Sequence, residues 1–358
     1  MAVASITIII PMLNEEQFVI RCLDSVLPQL GNLTSWEVLC VDGASTDRTS
    51  KIVSEFAERD PRVTLVANPN KTVPFGMNIG IRRARGDAIL RMDCHATYAP
   101  DYVGQCLEVL QRTGADNVGG YISTEPDVNS ATGRAIATAI SSRFGVGGSA
   151  FRVGGGEREV DTVPFGCFRR DVFERFGLYD ERLVRNQDIE LNSRIRRGGG
   201  RIVICPTIRC TYYMRSTFRG LRQQAFNNGL WNPYTLYLVG GGLRLRHFIP
   251  LGFTLTLMLL SLGGLVSPFL WALLIGVLSL YAAVALAVAL PLARRHRTSP
   301  LLLLLAFAQL HLMYGLGSLV GALTAPFKFG LRLPRRPAAA GEGAGTDRTA
   351  QAKVRLCI

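Results

Sequence analysis

The sequence predicts an α/β protein, with a doubly wound, largely parallel sheet over the first two thirds of the chain and a membrane region of two to three α-helical segments after it. Two observations predict it. Short apolar runs of strand length alternate with helix-length amphipathic stretches from Ile6 onward, which is the signature of β-α-β units around a parallel sheet. From Phe248 to Ala293 there is no charged residue. A single straight helix of about 46 residues, at 1.5 Å per residue, would exceed twice the hydrocarbon thickness of a bilayer, so the segment must fold back.

The elements follow in order. Ile6 to Pro11 reads as a buried strand, Glu15 to Leu27 as a helix, Trp36 to Val41 as a second strand, and Thr46 to Arg59 as a second helix. Arg62 to Ala67, a helix around Pro74 to Arg85 and the strand Asp87 to Met92 continue the alternation. No Gly-x-Gly-x-x-Gly follows the first strand, where the turn is Pro11-Met-Leu-Asn-Glu-Glu16, so a dinucleotide is not expected. A helix from Pro100 to Arg112 leads into Asn117-Val-Gly-Gly-Tyr121. The stretch Gly145 to Gly156, rich in glycine and serine, reads equally as a surface loop or as a substrate lid. After Val160 to Arg169 come an amphipathic helix from Asp171, a helix opened by Asn186-Gln-Asp-Ile-Glu190, a strand from Arg201 to Cys205 and a basic helix from Arg219 to Phe226.

Gly263-Gly264 and Ser267-Pro268 mark the reversal in the apolar run. The expected organisation is a first domain over 1–235, a basic link over 236–247, membrane segments near 248–266, 269–292 and 301–325, and a basic, disordered tail over 328–358. The net charge of +13 raises the question of nucleic acid. The arginines are scattered along helices and flank the apolar segments, however, without the stacking aromatics of a nucleic-acid module. Arg244, Arg246, Arg294, Arg295 and Arg297 instead fit the positive-inside rule and contact with anionic lipid, which places residues 1 to 246 in the cytoplasm. A third full crossing would put Lys328, Arg332, Arg335 and Arg336 outside, against the same rule. The third segment, which carries Gln309 and His311, is therefore either re-entrant or an exception. Eight cysteines without Cys-x-x-Cys or a zinc spacing read as reduced, mostly buried residues, and Cys357 is misplaced for prenylation. The apolar amino terminus lacks the basic leader of a signal peptide.

The chemistry concentrates at strand ends. Asp93 and His95 close the fourth strand as Asp-x-His, aimed at the crevice where open α/β sheets bind ligands. A carboxylate beside an imidazole suits Mg²⁺ or Mn²⁺ carrying a diphosphate; the plainer alternative is a strand-end acid and a surface imidazole. Asp42 ends the second strand in Val41-Asp-Gly-Ala-Ser-Thr-Asp47. It is placed to accept from a nucleobase imide or a ribose hydroxyl, or else to shape the turn before a helix capped by Ser45 or Thr46. Asp188 opens a helix as a cap or as a general base, and Glu190 is a second candidate for the base.

Taken together, Ile8-Ile-Ile-Pro-Met-Leu-Asn-Glu-Glu16, Val41 to Asp47, Asn78-Ile-Gly80, Met92-Asp-Cys-His95 and Asn186-Gln-Asp188 resemble, in order and spacing, the family 2 glycosyltransferases of the GT-A fold. Asp-x-His in place of Asp-x-Asp, Arg112 to Gly120 and Leu183 to Asn192 are similar to the branch that builds succinoglycan. The resemblance covers about residues 5 to 235. It implies a nucleotide-sugar-binding domain in which Asp42 contacts the nucleotide base, Pro11, Asn14 and Glu15 form the first nucleotide-binding turn, and Asn78 lies in the region lining the donor. It further implies a divalent cation at Asp93 with His95 at the second ligand position, and Asp188 as the base. Gly43 stands where the family often has a second acid. Processive members carry Gln-x-x-Arg-Trp beside the membrane; here Arg222 to Trp231 has no Arg-Trp pair, leaving Gln224 and Trp231 as acceptor-side candidates or as parts of a surface helix.

The expected activity is inverting, metal-dependent transfer of a single hexose from a nucleotide sugar, UDP-linked, to a lipid-linked saccharide at the cytoplasmic membrane, in exopolysaccharide or envelope glycan synthesis. Two alternatives stand beside it: a membrane-anchored nucleotide-sugar-binding protein without catalysis, and a polyprenyl-phosphate glycosyltransferase.

Overall fold

In the computed structural model, residues 5–330 are described; the assigned tail beyond Gly330, with Cys357, Arg332, Arg335 and Arg336, lies outside them. Among the described residues nine strands form one sheet: β1 (Ser5–Met12), β2 (Ser35–Asp42), β3 (Val63–Ala67), β4 (Ala88–Arg91), β5 (Ala96–Tyr98), β6 (Asn117–Pro126), β7 (Arg158–Glu159), β8 (Cys167–Arg169) and β9 (Ile202–Met214). Their order is β3-β2-β1-β4-β8-β6-β9-β5, with β7 also on β9. The first four strands are parallel, and β8 is antiparallel to β4 and to β6. The chain reverses its direction of winding between β1 and β4, which opens a crevice at their carboxyl ends. Ile9 pairs with Arg91, so Pro11 and Asp93 leave the sheet side by side.

Helices cover both faces, which is why β1 is a continuous apolar run and not an alternating one. Ile6, Ile8 and Ile10 point into one core and Ile9 into the other. The helix Val19–Val26 buries Val19, Cys22, Leu23 and Val26, the i, i+3, i+4, i+7 stripe of a core-facing helix. It starts four residues later than expected, because Asn14 adopts a left-handed backbone at φ 57° and holds the chain in a turn. All seven described cysteines are free and buried.

Two elements are longer than the sequence suggests. β9 runs for 13 residues beside β6, with a bulge between Gly119 and Tyr121. There a Cβ on Gly120 would lie 1.8 Å from the Ile208 carbonyl oxygen. The basic helix extends over Phe218–Val239, past residue 235 and across the expected start of the link.

Three apolar helices follow, Ile249–Gly263, Pro268–His296 and Pro300–Phe329. The second and third are long and apolar enough to cross a membrane, and the first is shorter. The third is one unbroken helix of 30 residues, about 45 Å long; the reversal that a re-entrant segment requires is not formed. Leucines and isoleucines on the second helix are exposed, among them Ile275 at 62% and Leu280 at 67%, as expected of a lipid-facing surface.

The third apolar helix and Phe218–Val239 pack backbone to backbone. A Cβ on Gly229 would fall 1.9 Å from the Tyr314 carbonyl oxygen, and one on Gly317 2.0 Å from that of Phe226. Ser318 donates its hydroxyl to the Gly229 carbonyl at 3.1 Å. Glycines four residues apart, Gly317 and Gly321, thus serve close helix approach as in membrane helix pairs. A third core of Ile136, Met214, Leu221, Ala289, Phe307 and neighbours joins the sheet domain to these helices.

Candidate active site

One cavity of about 1180 Å³ occupies the crevice. At one end it is lined by Pro11, Val41, Asn68 and Lys71, in its middle by Glu15, Asp93, His95 and Asp188, and at the other end by Phe253, Tyr281, Leu310 and Tyr314 of the apolar helices. The space therefore runs without interruption from the strand ends to the apolar helices.

The strand-end turns are tied to one another. Asn14 Oδ1 accepts from the Thr46 amide at 2.8 Å, its own amide donates to Ser45 Oγ at 2.9 Å, and the Glu15 amide donates to Thr49 Oγ1 at 2.7 Å. Asn14, Ala44, Lys71 and Asn186 all have positive φ, a backbone conformation held only where surroundings enforce it. Asp42 is buried, and its carboxylate accepts from Ser45 N at 3.0 Å and Ser45 Oγ at 2.5 Å. The turn-shaping role is thus filled, while each oxygen keeps further acceptor capacity.

His95 bridges two acids. Its Nδ1 lies 2.8 Å from Glu15 Oε1 and its Nε2 3.3 Å from Asp93 Oδ1. Phe18 and Tyr212 pack edge-on against the ring. Burial favours the neutral imidazole, but Asp93 and Glu15 outweigh it and raise the pKa to about 9. Burial, with Asp93 adding to it, likewise pushes the Tyr212 phenol up. The backbone of Asp93 is clamped by the buried Tyr98, whose hydroxyl accepts from its amide at 2.6 Å and donates to its carbonyl at 3.0 Å.

These residues fit a divalent cation. Adjacent ligands of an octahedral ion at about 2.1 Å stand roughly 3 Å apart, close to the separation of Asp93 Oδ1 and His95 Nε2. Among the described residues no group of three or more His, Cys, Asp or Glu is placed to hold a metal ion by itself. Mg²⁺ and Mn²⁺ at diphosphates need none, since substrate oxygens and water complete their shell. A cation at Nε2 competes with the proton there.

Asp188 lies in the first turn of Gln187–Arg197 and forms an ion pair with Arg91. Arg91 is 6% exposed and its Nε has no hydrogen-bond partner. Burial opposes its charge, but Asp188 outweighs this and holds the guanidinium protonated. Glu190 is buried and bound twice by Arg194, at 2.7 and 2.8 Å; it does not reach the cavity, which leaves Asp188 as the carboxylate in position. The turn before Asp188 is fastened to Phe218–Val239: Arg185 donates to Asn228 at 2.8 Å and Asn186 to Asn232 at 3.0 Å. Asn232 in turn donates to the Tyr314 hydroxyl at 2.8 Å. Side-chain amides thus connect the turn before Asp188 to an apolar helix.

Five expected site residues are absent from the lining of the cavity: Asn14 and Asp42, which shape the strand-end turns behind it, and Asn78, Gln224 and Trp231. Asn78 is buried and spends its amide on Tyr179 and Glu181: its Nδ2 donates to Tyr179 O and Glu181 Oε1 at 2.9 Å each, and its Oδ1 accepts from Tyr179 N at 3.0 Å. It clamps a loop instead of lining the donor. Gln224 and Trp231 are also absent from the lining, to which the same helix contributes Asn228. Trp231 packs on Tyr234 and, with it, faces the Lys328 ammonium. The segment 143–154 forms two short helical turns, and Phe144 seats on Phe307 and His311.

Nothing in the local sequence pattern marks Tyr98 or Arg185 as site residues. A charge inside the otherwise apolar run of β4 was the one available sign of Arg91.

The sheet order, with a crevice at its carboxyl ends lined by Glu15, Asp93 and Asp188, is that of a GT-A protein, and comparison with known proteins agrees. The family described as Glycosyl transferase family 2 matches residues 7–177. Succinoglycan biosynthesis protein ExoA of Rhizobium meliloti (strain 1021) is 32% identical over 224 residues, covering 62% of this chain and 67% of that protein. A Methanococcus voltae dolichyl N-acetyl-alpha-D-glucosaminyl phosphate 3-beta-D-2,3-diacetamido-2,3-dideoxy-beta-D-glucuronosyltransferase is 28% identical over 268 residues, 73% of this chain and 82% of that one. The mannosyltransferase PcManGT from Pyrobaculum calidifontis, solved with GDP-Man and Mn²⁺, superposes with a TM-score of 0.54 at 21% identity, over 89% of this chain and 86% of its own. The chain belongs to glycosyltransferase family 2 and is a glycosyltransferase.

Proposed function

We propose that the protein transfers one hexose, with inversion, from a nucleoside-diphosphate sugar of the UDP class to a lipid-linked saccharide in the synthesis of an exported polysaccharide, working at the cytoplasmic face of the membrane. The observation that carries this reading is the single cavity that holds Asp93, His95 and Asp188 and ends on apolar helices. The names of the relatives, one in succinoglycan biosynthesis and one acting on a dolichyl-linked sugar, support the acceptor class.

In this reading the strand-end turns of Pro11, Asn14 and Glu15, with Asp42 behind them, receive the nucleotide. Asp93 and His95 would hold Mg²⁺ or Mn²⁺, which supplies charge to neutralise the departing diphosphate. Asp188 takes the proton of the acceptor hydroxyl as its oxygen attacks the anomeric carbon; the bond from that carbon to the diphosphate oxygen breaks, and the electron pair leaves with the nucleoside diphosphate. Attack from the face opposite the leaving group inverts the configuration. Arg91 holds the Asp188 carboxylate toward the cavity, and Tyr98 fixes the Asp93 backbone. No enzyme nucleophile takes part.

The test is the anomeric configuration of the product, read by proton NMR from the coupling of the transferred sugar. An α-linked donor is expected to yield a β-linked product; an α-linked product would overturn the single displacement.

A further inference from the structure

Donor chemistry accounts for the acids in the cavity, but leaves part of its positive charge without a task. Arg143, Arg185 and Arg196 line it, and among the described residues none has a carboxylate partner. Arg246, by contrast, is paired with Asp161 at 2.7 Å. Arg185 is half-buried, and the one hydrogen bond of its guanidinium goes to the neutral Asn228. Its burial, and the like charge of Arg215, lower its pKa. A half-buried cation without a counterion is costly unless an anion comes to it.

Their position says which anion. Arg185 precedes Asp188 by three residues, at most about 11 Å of chain, and is tied through Asn228 to the helix that packs on the apolar region. Arg143 adjoins Phe144, whose ring rests on Phe307 at 4.9 Å and His311 at 5.0 Å. Both residues therefore lie where the sheet domain meets the apolar helices, Arg185 half-buried and Arg143 exposed. Pro11, Asn68 and Lys71 line the opposite end.

We propose that Arg143 and Arg185 form a second anion site, on the acceptor side of Asp188, which takes the phosphate or diphosphate joining the acceptor saccharide to its lipid. This rests on the proposed function above, and it adds that the acceptor is short, with its phosphate close to the attacked hydroxyl. The planar guanidinium fork suits phosphate oxygens.

The test uses the full chain in detergent, with native mass spectrometry reading the binding of a polyprenyl diphosphate, the matching polyprenol and inorganic pyrophosphate, each with and without saturating UDP and Mn²⁺. The diphosphate lipid is expected to bind at least roughly tenfold more tightly than the alcohol, with or without UDP. Arg143→Gln with Arg185→Gln removes that preference, and Arg185→Lys restores part of it; a melting curve for each variant separates this from misfolding. Equal binding of diphosphate lipid and alcohol overturns the anion site and leaves a lipid acceptor standing. Exclusion of the diphosphate lipid by UDP also overturns it, because the arginines then serve the donor. Arginine-dependent binding of pyrophosphate, with neither lipid bound, upholds the anion site and overturns the lipid acceptor.

Discussion

Asp188→Asn is expected to lower turnover by about a hundredfold to ten-thousandfold, the range in which a positioned general base acts, while the nucleotide still binds. Asn keeps the shape of the side chain and one acceptor oxygen but takes up no proton. The same substitution also removes the counterion of Arg91, which is 6% exposed with an unpartnered Nε. Removing one member of a fully buried pair costs about 3–5 kcal/mol. Asp188 is 29% exposed, so solvent screens the loss and the expected cost is about 1–2 kcal/mol. A lower melting temperature should therefore accompany the loss of rate. Isothermal titration with UDP separates the effects: retained binding with lost turnover assigns Asp188 to chemistry, whereas full activity would remove it from the mechanism.

Gly229→Leu is expected to be the most damaging single change outside the cavity. Most overpacked cores relax by moving side chains, at about 1–3 kcal/mol. Here the added Cβ meets the Tyr314 carbonyl at 1.9 Å and the Ser318 amide at 3.0 Å, and backbone can yield only if the helices part. Separation would also release Asn228, Asn232 and Thr235, which hold Arg185 and Asn186 in the turn before Asp188. The variant should lose activity and melt early in detergent, with a stability loss of at least about 3 kcal/mol. Leu236→Ala, on an exposed position of the same helix, should stay within roughly 0.5 kcal/mol. Equal behaviour of the two variants would show that the helix pair is not a rigid unit.

The parts of this architecture that could be read from the sequence are those with local causes. Strand-end acids announce themselves because β1, β2 and β4 are short apolar runs with Asp42 and Asp93 just beyond or at their ends, and an apolar run as long as 248–293 has few soluble explanations. What could not be read depends on contacts distant along the chain. Asn78 has the composition of a polar liner, yet its partners lie about a hundred residues away, at Tyr179 and Glu181. The long helix Phe218–Val239 carries Pro233 and mixed polarity, so its periodicity fades after Phe226; its continuation is enforced by glycine-mediated packing on the third apolar helix. The link between Glu15 and His95 spans 80 positions, and only the fold brings the first turn to the fourth strand.

Under the proposed function, Asp93 and His95 form a cation site through which nucleotide-sugar turnover depends on metal. Its most direct test is release of nucleoside diphosphate from a panel of nucleotide sugars by the full chain in detergent, measured after metal removal with EDTA and again after Mn²⁺ is restored. Turnover with at least one sugar, abolished by EDTA, recovered with Mn²⁺ and not recovered in Asp93→Asn, is the expected result. Tight nucleotide binding with no release from any nucleotide sugar, or turnover unaffected by EDTA, would contradict it.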